Sequence, residues 1–77
     1  MGMRAVIADD EVLIRMYIRE ILENNGYEVA GEAEDGMDAV TVCREQRPDF
    51  VIMDINMPVM TGLEAARVIR EDGLAGF

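Results

Sequence analysis

The sequence predicts an α/β fold in which three strands form a parallel sheet and helices alternate with them. Short apolar runs alternate with longer segments whose apolar residues recur at helical spacing. Acidic, glycine or proline residues follow these segments and are typical of strand and helix ends. With 77 residues the chain allows one small domain, expected to cover residues 1–77. Parallel strands joined by helices take right-handed crossovers.

The first half of the chain predicts a strand, a helix and a second strand. Residues 4–8 form a short apolar run, which is typical of a buried strand. Residues 11–24 are rich in helix formers, with Leu13 and Tyr17 at helical spacing, and the Asn-Asn-Gly sequence that follows ends this helix. In residues 27–33 apolar and polar side chains alternate, as in a strand with one solvent-exposed face.

The middle of the chain predicts a second helix. A turn at residues 34–36 precedes it, and residues 37–46 place Met37 and Cys43 on one side of the helix. Pro48 ends it, because proline cannot donate the backbone hydrogen bond that a helix interior needs.

The last third of the chain predicts a third strand and a third helix. Residues 50–53 are uninterrupted apolar residues, which is typical of a strand covered on both faces. A loop over residues 55–61 follows it. The third helix extends from residue 62 to about residue 71, with Leu63 and Ile69 on one side.

The composition excludes several kinds of chemistry. All seven basic residues are arginine, and the sequence contains no Lys, His, Ser or Trp. It cannot hold a Ser-His-Asp triad, a Schiff-base or P-loop lysine, or an imidazole metal site. The net charge of −9 argues against direct nucleic-acid binding and favours a divalent cation or a basic partner. One group of acidic residues is expected to form a solvated face: Glu32, Glu34, Asp35 and Asp38.

The sequence predicts neither a membrane segment nor a signal peptide. No stretch is apolar enough to span a membrane, and Asp9, Asp10 and Glu11 interrupt the first apolar run. The single cysteine, Cys43, has no partner for an intrachain disulfide, which fits a reducing compartment. We therefore expect a cytoplasmic protein with no membrane partner.

Three aspartates directly follow predicted strands. Asp9 and Asp10 follow the first strand, and Asp54 follows the third. If the strand order is 2-1-3, the three carboxylates meet at one edge of the sheet, where α/β proteins hold their functional groups. Such carboxylates repel one another unless a cation joins them, and Mg²⁺ prefers oxygen ligands. A carboxylate can also accept a phosphoryl group as a nucleophile. Taken alone, the Asp9-Asp10 pair is more typical of a helix N-cap with a solvated neighbour.

Two motifs together resemble those of response-regulator receiver domains. They are Ala-Asp-Asp-Glu at residues 8–11 and Met-Asp-Ile-Asn-Met-Pro-Val-Met-Thr-Gly at residues 53–62. The resemblance covers essentially the whole chain. It implies a flavodoxin-like fold, which is a three-layer α/β arrangement around a parallel sheet of order 2-1-3. It also implies a phosphoacceptor module of two-component signal transduction rather than a conventional enzyme.

The resemblance further implies roles for individual residues. Asp54 is expected to be the phosphoacceptor, with a sensor histidine kinase as the partner. Asp10, Asp54 and the backbone carbonyl of Asn56 are expected to bind Mg²⁺, and Asp9 is expected to assist through a water molecule. The first turn of helix 1, residues 12–15, resembles the surface that docks on the kinase.

The sequence departs from this family in one respect. Receiver domains have five strand-helix units, whereas three are predicted here. The family's Thr or Ser after strand 4 and its Lys after strand 5 have no counterpart. We therefore expect the amino-terminal portion of a receiver domain, whose strand 50–53 is an exposed edge through which the chain self-associates. The alternatives are a non-phosphorylated pseudo-receiver that serves as a dimerisation module, or an inactive receiver fragment.

Overall fold

Strands and helices alternate along the whole described part of the chain. The computed structural model describes residues 2–54, 60, 62–71 and 73. The elements are β1 (Arg4–Ala8), α1 (Val12–Asn24), β2 (Glu28–Ala33), α2 (Gly36–Gln46), β3 (Phe50–Met53) and α3 (Gly62–Glu71). This order confirms the predicted α/β fold class. No helix within these residues is long and apolar enough to cross a lipid bilayer.

The strands form one parallel sheet in the order β2-β1-β3, which confirms the predicted order. Ala8 at the end of β1 pairs with Ala33 on one side and Met53 on the other. Among the described residues β3 therefore lies at an edge, and Val51 is its one buried residue. β3 is packed on both faces as expected, since Val51 lies in the cluster formed with α2 and α3, and Phe50 and Ile52 pack against the cluster that contains Leu22 of α1, although these two remain partly exposed. Coverage is more complete at β1, whose residues 5–8 are all buried because strands pair with it on both sides and helices pack on both faces.

Successive side chains of β1 point to opposite faces of the sheet, because the strand repeats every two residues. Ala5 and Ile7 pack with Leu22 of α1 on one face. On the other face Val6 packs with residues of α2, β3 and α3. Those partners are Val40, Cys43, Val51, Ala65 and Ile69. The sheet thus lies between α1 and the α2–α3 pair, as the three-layer flavodoxin-like fold requires.

The packed faces of α1 and α3 differ in part from the predicted ones. In α1, Leu13 and Tyr17 are exposed, and Leu22 is buried instead. In α3, Ile69 is fully buried as expected, but Leu63 is 68% exposed. Both helices carry apolar residues on more than one side. The side that packs is therefore selected by contact with the sheet, and helical periodicity alone does not identify it.

Arg4 joins several elements at the end of the sheet where the strands begin. Its Nη1 donates to the carbonyl oxygen of Gln46 at the end of α2, at 2.6 Å. Its Nε lies 3.3 Å from a carboxylate oxygen of Glu28 in β2. Its backbone N–H donates to Asp49, just before β3, at 2.7 Å. One arginine therefore satisfies an unpaired helix-end carbonyl and ties both outer strands to β1.

Candidate functional site

The carboxyl ends of β1 and β3 are held side by side. Met53 pairs with Ala8, and the backbone N–H of Asp54 donates to the Ala8 carbonyl at 3.0 Å. On the other side of β1, the N–H of Asp9 donates to the Ala33 carbonyl at 3.0 Å. The backbone hydrogen bonds of the sheet therefore continue one residue beyond β1 and β3, and they fix the backbone positions of Asp9 and Asp54.

This pairing brings together the three aspartates that the sequence singles out. One carboxylate oxygen from each of Asp9, Asp10 and Asp54 lies within 4.8 Å of the others. Asp9 and Asp54 are half-buried, and Asp10 is exposed. Residues 44 and 45 positions apart in the sequence thus form one acidic cluster, which is open to solvent on the Asp10 side.

Asp9 also shapes the turn between β1 and α1. Its Oδ1 accepts a hydrogen bond from the backbone N–H of Glu11 at 2.9 Å. The N-cap position of α1 is Glu11, whose side chain makes no capping hydrogen bond. The alternative reading of Asp9-Asp10 as the N-cap of this helix is therefore wrong. Asp9 instead uses one carboxylate oxygen to fix the turn.

The cluster fits a small divalent cation. Three carboxylates at this separation repel one another, and a positive ion between them removes that repulsion. Mg²⁺ prefers oxygen ligands and keeps several waters, which suits a cluster with one exposed and two half-buried members. Asp9, Asp10 and Asp54 are the described residues that could hold it. Asn56, whose carbonyl is the fourth expected ligand, lies outside the described residues.

Two arginines of α1 hold Glu32 of β2, and one of them also contacts the acidic cluster. Arg15 donates from Nη1 to the Asp9 carbonyl at 2.6 Å and from Nε to Glu32 of β2 at 3.0 Å. Arg19 donates to the other carboxylate oxygen of Glu32, at 2.8 Å from Nε and 2.7 Å from Nη2. Sequence reasoning missed this network. The one available signal was the spacing of four residues between the arginines, which places both on the same side of a helix.

Glu32 is therefore not part of a solvated face, contrary to expectation. Its side chain is 28% exposed. Burial by itself raises the pKa of Glu32, but the hydrogen bonds from Arg19 and Arg15 and their charges outweigh that effect, and the pKa lies below its ordinary value. The hydrogen bond to Glu32 correspondingly raises the pKa of Arg19.

One more of the expected surface acids, Asp35, has a structural role. Asp35 is the N-cap of α2, and its Oδ1 accepts a hydrogen bond from the backbone N–H of Asp38 at 2.7 Å.

Gly36, the next residue, lies at a point of close approach, where an added Cβ would collide with the backbone carbonyl of Met60. The start of α2 thus packs against a residue that follows β3. Only a glycine allows this contact without displacement of the Met60 backbone.

Comparison with known proteins gives relatives along almost the whole chain. The profile of the response regulator receiver domain matches residues 5–75. The chain is 48% identical to chemotaxis protein CheY of Thermotoga maritima over 69 residues, which are 90% of this chain and 58% of that protein. It is 47% identical to transcriptional regulatory protein PdtaR of Mycobacterium tuberculosis over 72 residues, which are 94% of this chain and 35% of that protein. The chain thus spans less than two thirds of either relative.

A solved structure agrees with the sequence relatives. The response regulator domain of Thermotoga maritima CheB superimposes with a TM-score of 0.92 at 33% sequence identity, and the match covers 97% of this chain and 57% of that one. Fold, strand order and sequence relatives all agree. The chain therefore belongs to the family of response regulator receiver domains.

Proposed function

We propose that this receiver chain accepts a phosphoryl group on Asp54 with the help of Mg²⁺. The observation that carries the proposal is the convergence of Asp9, Asp10 and Asp54, with one oxygen of each within 4.8 Å of the others. Asp10, Asp54 and the carbonyl of Asn56 would hold the cation, with Asp9 assisting through a water molecule. When bound, Mg²⁺ supplies positive charge that screens the carboxylates from the anionic phosphoryl group and stabilises its charge during transfer.

Asp54 is the nucleophile in this proposal. One of its carboxylate oxygens forms a bond to phosphorus while the bond from phosphorus to the leaving group breaks. The leaving group keeps the electron pair of that bond. It is an imidazole nitrogen when a histidine kinase is the donor and an acetate oxygen when acetyl phosphate is the donor. Because the backbone N–H of Asp54 is held by β1, the carboxylate starts from a fixed position.

A sensor histidine kinase is the proposed partner. The first turn of α1 begins one residue after Asp9 and Asp10, and it exposes three apolar side chains, those of Val12, Leu13 and Ile14. An apolar surface beside the phosphoacceptor suits a partner that must bring its phosphohistidine to the acidic cluster. We also propose a cytoplasmic location, where such a kinase presents its phosphohistidine.

The experiment is incubation with Mg²⁺ and acetyl phosphate, followed by measurement of the intact mass. We expect the parent chain to gain one phosphoryl group and Asp54→Asn to gain none. The matched control is Glu45→Gln, which removes one exposed negative charge on α2 and should behave as the parent does. Omission of Mg²⁺ should abolish the gain. A gain that persists in Asp54→Asn, or no gain in the parent, would contradict the proposal.

A dimerisation module that is not phosphorylated is the second candidate. Its support is the position of β3 at an edge of the described sheet, where its outer backbone groups could pair with a second copy of this chain. Sedimentation of the 77-residue chain tests this candidate. A dimer that persists in the absence of any phosphodonor would support it. A compact monomer at all concentrations would exclude the dimerisation module. The remaining alternative to phosphotransfer would then be an inactive fragment.

A further inference from the structure

Arg15 makes two hydrogen bonds that point in different directions. Its Nη1 donates to the carbonyl oxygen of Asp9 at 2.6 Å, and its Nε donates to Glu32 of β2 at 3.0 Å. The Arg15 side chain is only 12% exposed, so solvent does not readily replace either bond. A planar guanidinium is suited to this task because its donors are fixed relative to one another.

A second arginine, Arg19, binds the other carboxylate oxygen of Glu32. Arg19 contacts the other carboxylate oxygen of Glu32 at 2.7 Å and also lies 3.4 Å from Glu23. Glu32 is thus held between two arginines, and its backbone is part of β2, where it pairs with Ile7 of β1. Arg15 therefore cannot shift without the loss of a charge-assisted hydrogen bond.

The Asp9 carbonyl belongs to the peptide group that joins Asp9 to Asp10. The Asp9 N–H is bound to the Ala33 carbonyl at 3.0 Å, and its Oδ1 is bound to the Glu11 N–H at 2.9 Å. Arg15 fixes the remaining polar group of this residue. With its amide, its carboxylate and its carbonyl all held, the 9–10 peptide plane has one orientation, and Asp10 projects from a fixed point.

We propose that Arg15 is a positioning residue for the acidic cluster. By holding the 9–10 peptide plane, it keeps the carboxylates of Asp9 and Asp10 oriented toward Asp54. This inference rests on the proposed function, because it concerns the cation that the cluster would bind. Partners that orient metal ligands typically contribute about 10- to 100-fold in metal affinity.

The effect of charge on cation binding opposes the effect of positioning, which makes the test decisive. Removal of a positive charge beside the Asp9 carbonyl would by itself strengthen Mg²⁺ binding. Weaker binding after the loss of Arg15 therefore cannot come from its charge, and comparison with Arg19→Met separates lost orientation from a general loss of structure. Arg19 offers a matched control, since it binds the same Glu32 from the same helix without contact to Asp9.

The experiment is calorimetric titration of Mg²⁺ into the parent chain and into Arg15→Met, Arg15→Lys and Arg19→Met, with urea unfolding of each. We expect Arg15→Met to bind Mg²⁺ about tenfold more weakly. We expect Arg19→Met to bind within about twofold of the parent, even though it loses stability through the same Glu32. Arg15→Lys can bond to one partner at a time and should fall between the parent and Arg15→Met.

The outcomes separate this inference from the proposed function. If the parent binds Mg²⁺ and Arg15→Met and Arg15→Lys both bind it equally well, the positioning role is wrong and the phosphoacceptor proposal stands. Equal weakening in Arg15→Met and Arg19→Met would also overturn it, because the effect would then be structural. A parent that binds no Mg²⁺ overturns both. Should Arg15→Met fail to fold, Arg15→Lys, which keeps the positive charge, decides the matter by the same comparison with Arg19→Met.

Discussion

Replacement of Asp10 by Asn should stabilise the chain without metal and destabilise it with Mg²⁺. One oxygen of Asp10 lies within 4.8 Å of oxygens of both Asp9 and Asp54. At that distance each pair of unit charges repels by about 0.9 kcal/mol at the dielectric constant of water. Because Asp10 is exposed, we discount the two pairs together to about 1 kcal/mol of gain in the free energy of unfolding.

Urea unfolding of the parent and Asp10→Asn, with a metal chelator and then with Mg²⁺, measures this effect. Mg²⁺ stabilises any chain whose folded state binds it, in proportion to the logarithm of its concentration over the dissociation constant. The parent should therefore overtake Asp10→Asn as Mg²⁺ is added, so that the order of their stabilities reverses. Glu45→Gln, which removes an exposed charge outside the cluster, should show no reversal.

Salt gives an independent check on the cause. The gain in Asp10→Asn should be largest at an ionic strength of about 0.01 M, where the Debye length is about 30 Å, and should largely vanish at about 1 M, where it is about 3 Å. The reasoning is refuted if Asp10→Asn is no more stable than the parent in low salt with the chelator. It is equally refuted if the two unfolding curves keep the same order in Mg²⁺.

Three further predictions concern stability. Ile69→Ala removes three carbons from a fully buried side chain and should lower the free energy of unfolding, measured in urea, by about 2–5 kcal/mol. Leu63 lies on the same helix but is 68% exposed, so Leu63→Ala should change that free energy by less than about 0.5 kcal/mol. Similar losses in both variants would show that α3 packs differently. Burial raises the pKa of Cys43 from its ordinary value of 9.0 to about 11, so the unfolded chain ionises first, and stability should fall by up to about 1.4 kcal/mol per pH unit between those values. Urea midpoints against pH should show this fall in the parent but not in Cys43→Ala, and identical profiles would contradict it. Asp35→Ala removes the N-cap hydrogen bond to the backbone N–H of Asp38 and should lower the free energy of unfolding by about 1 kcal/mol, measured by heat or urea. Asp35→Asn keeps an acceptor oxygen and should lose less. Equal losses in the two variants would rule out a capping role.

The order and type of the elements could be predicted from the sequence because local signals carry them. The strand at residues 50–53 is an unbroken apolar run, and the Asn-Asn-Gly sequence ends α1 near where the structure ends it, at Asn24. Strand order and the gathering of Asp9, Asp10 and Asp54 followed from the rules of parallel sheets and from resemblance to a family. Those rules act on whole elements, so small errors at element boundaries did not affect them.

Contacts between elements could not be predicted in the same way. Leu13 and Leu22 both read as apolar helix positions, yet only Leu22 meets the sheet. Glu32 reads as one acid among several in an acidic segment, and its partners Arg15 and Arg19 lie on a different element. Whether a charged residue is solvated or paired depends on where two elements cross, and a single sequence carries little information about that crossing.

The position of Arg4 has a consequence for how the chain could be redesigned. Arg4 and the acidic cluster lie at opposite ends of β1, which is five residues long. Four steps along a strand span about 13 Å, which exceeds the Debye length of about 8 Å at physiological ionic strength. Charges introduced around Arg4 are therefore largely screened from the carboxylates. One end of the sheet can be altered to adjust stability while the other end retains its chemistry.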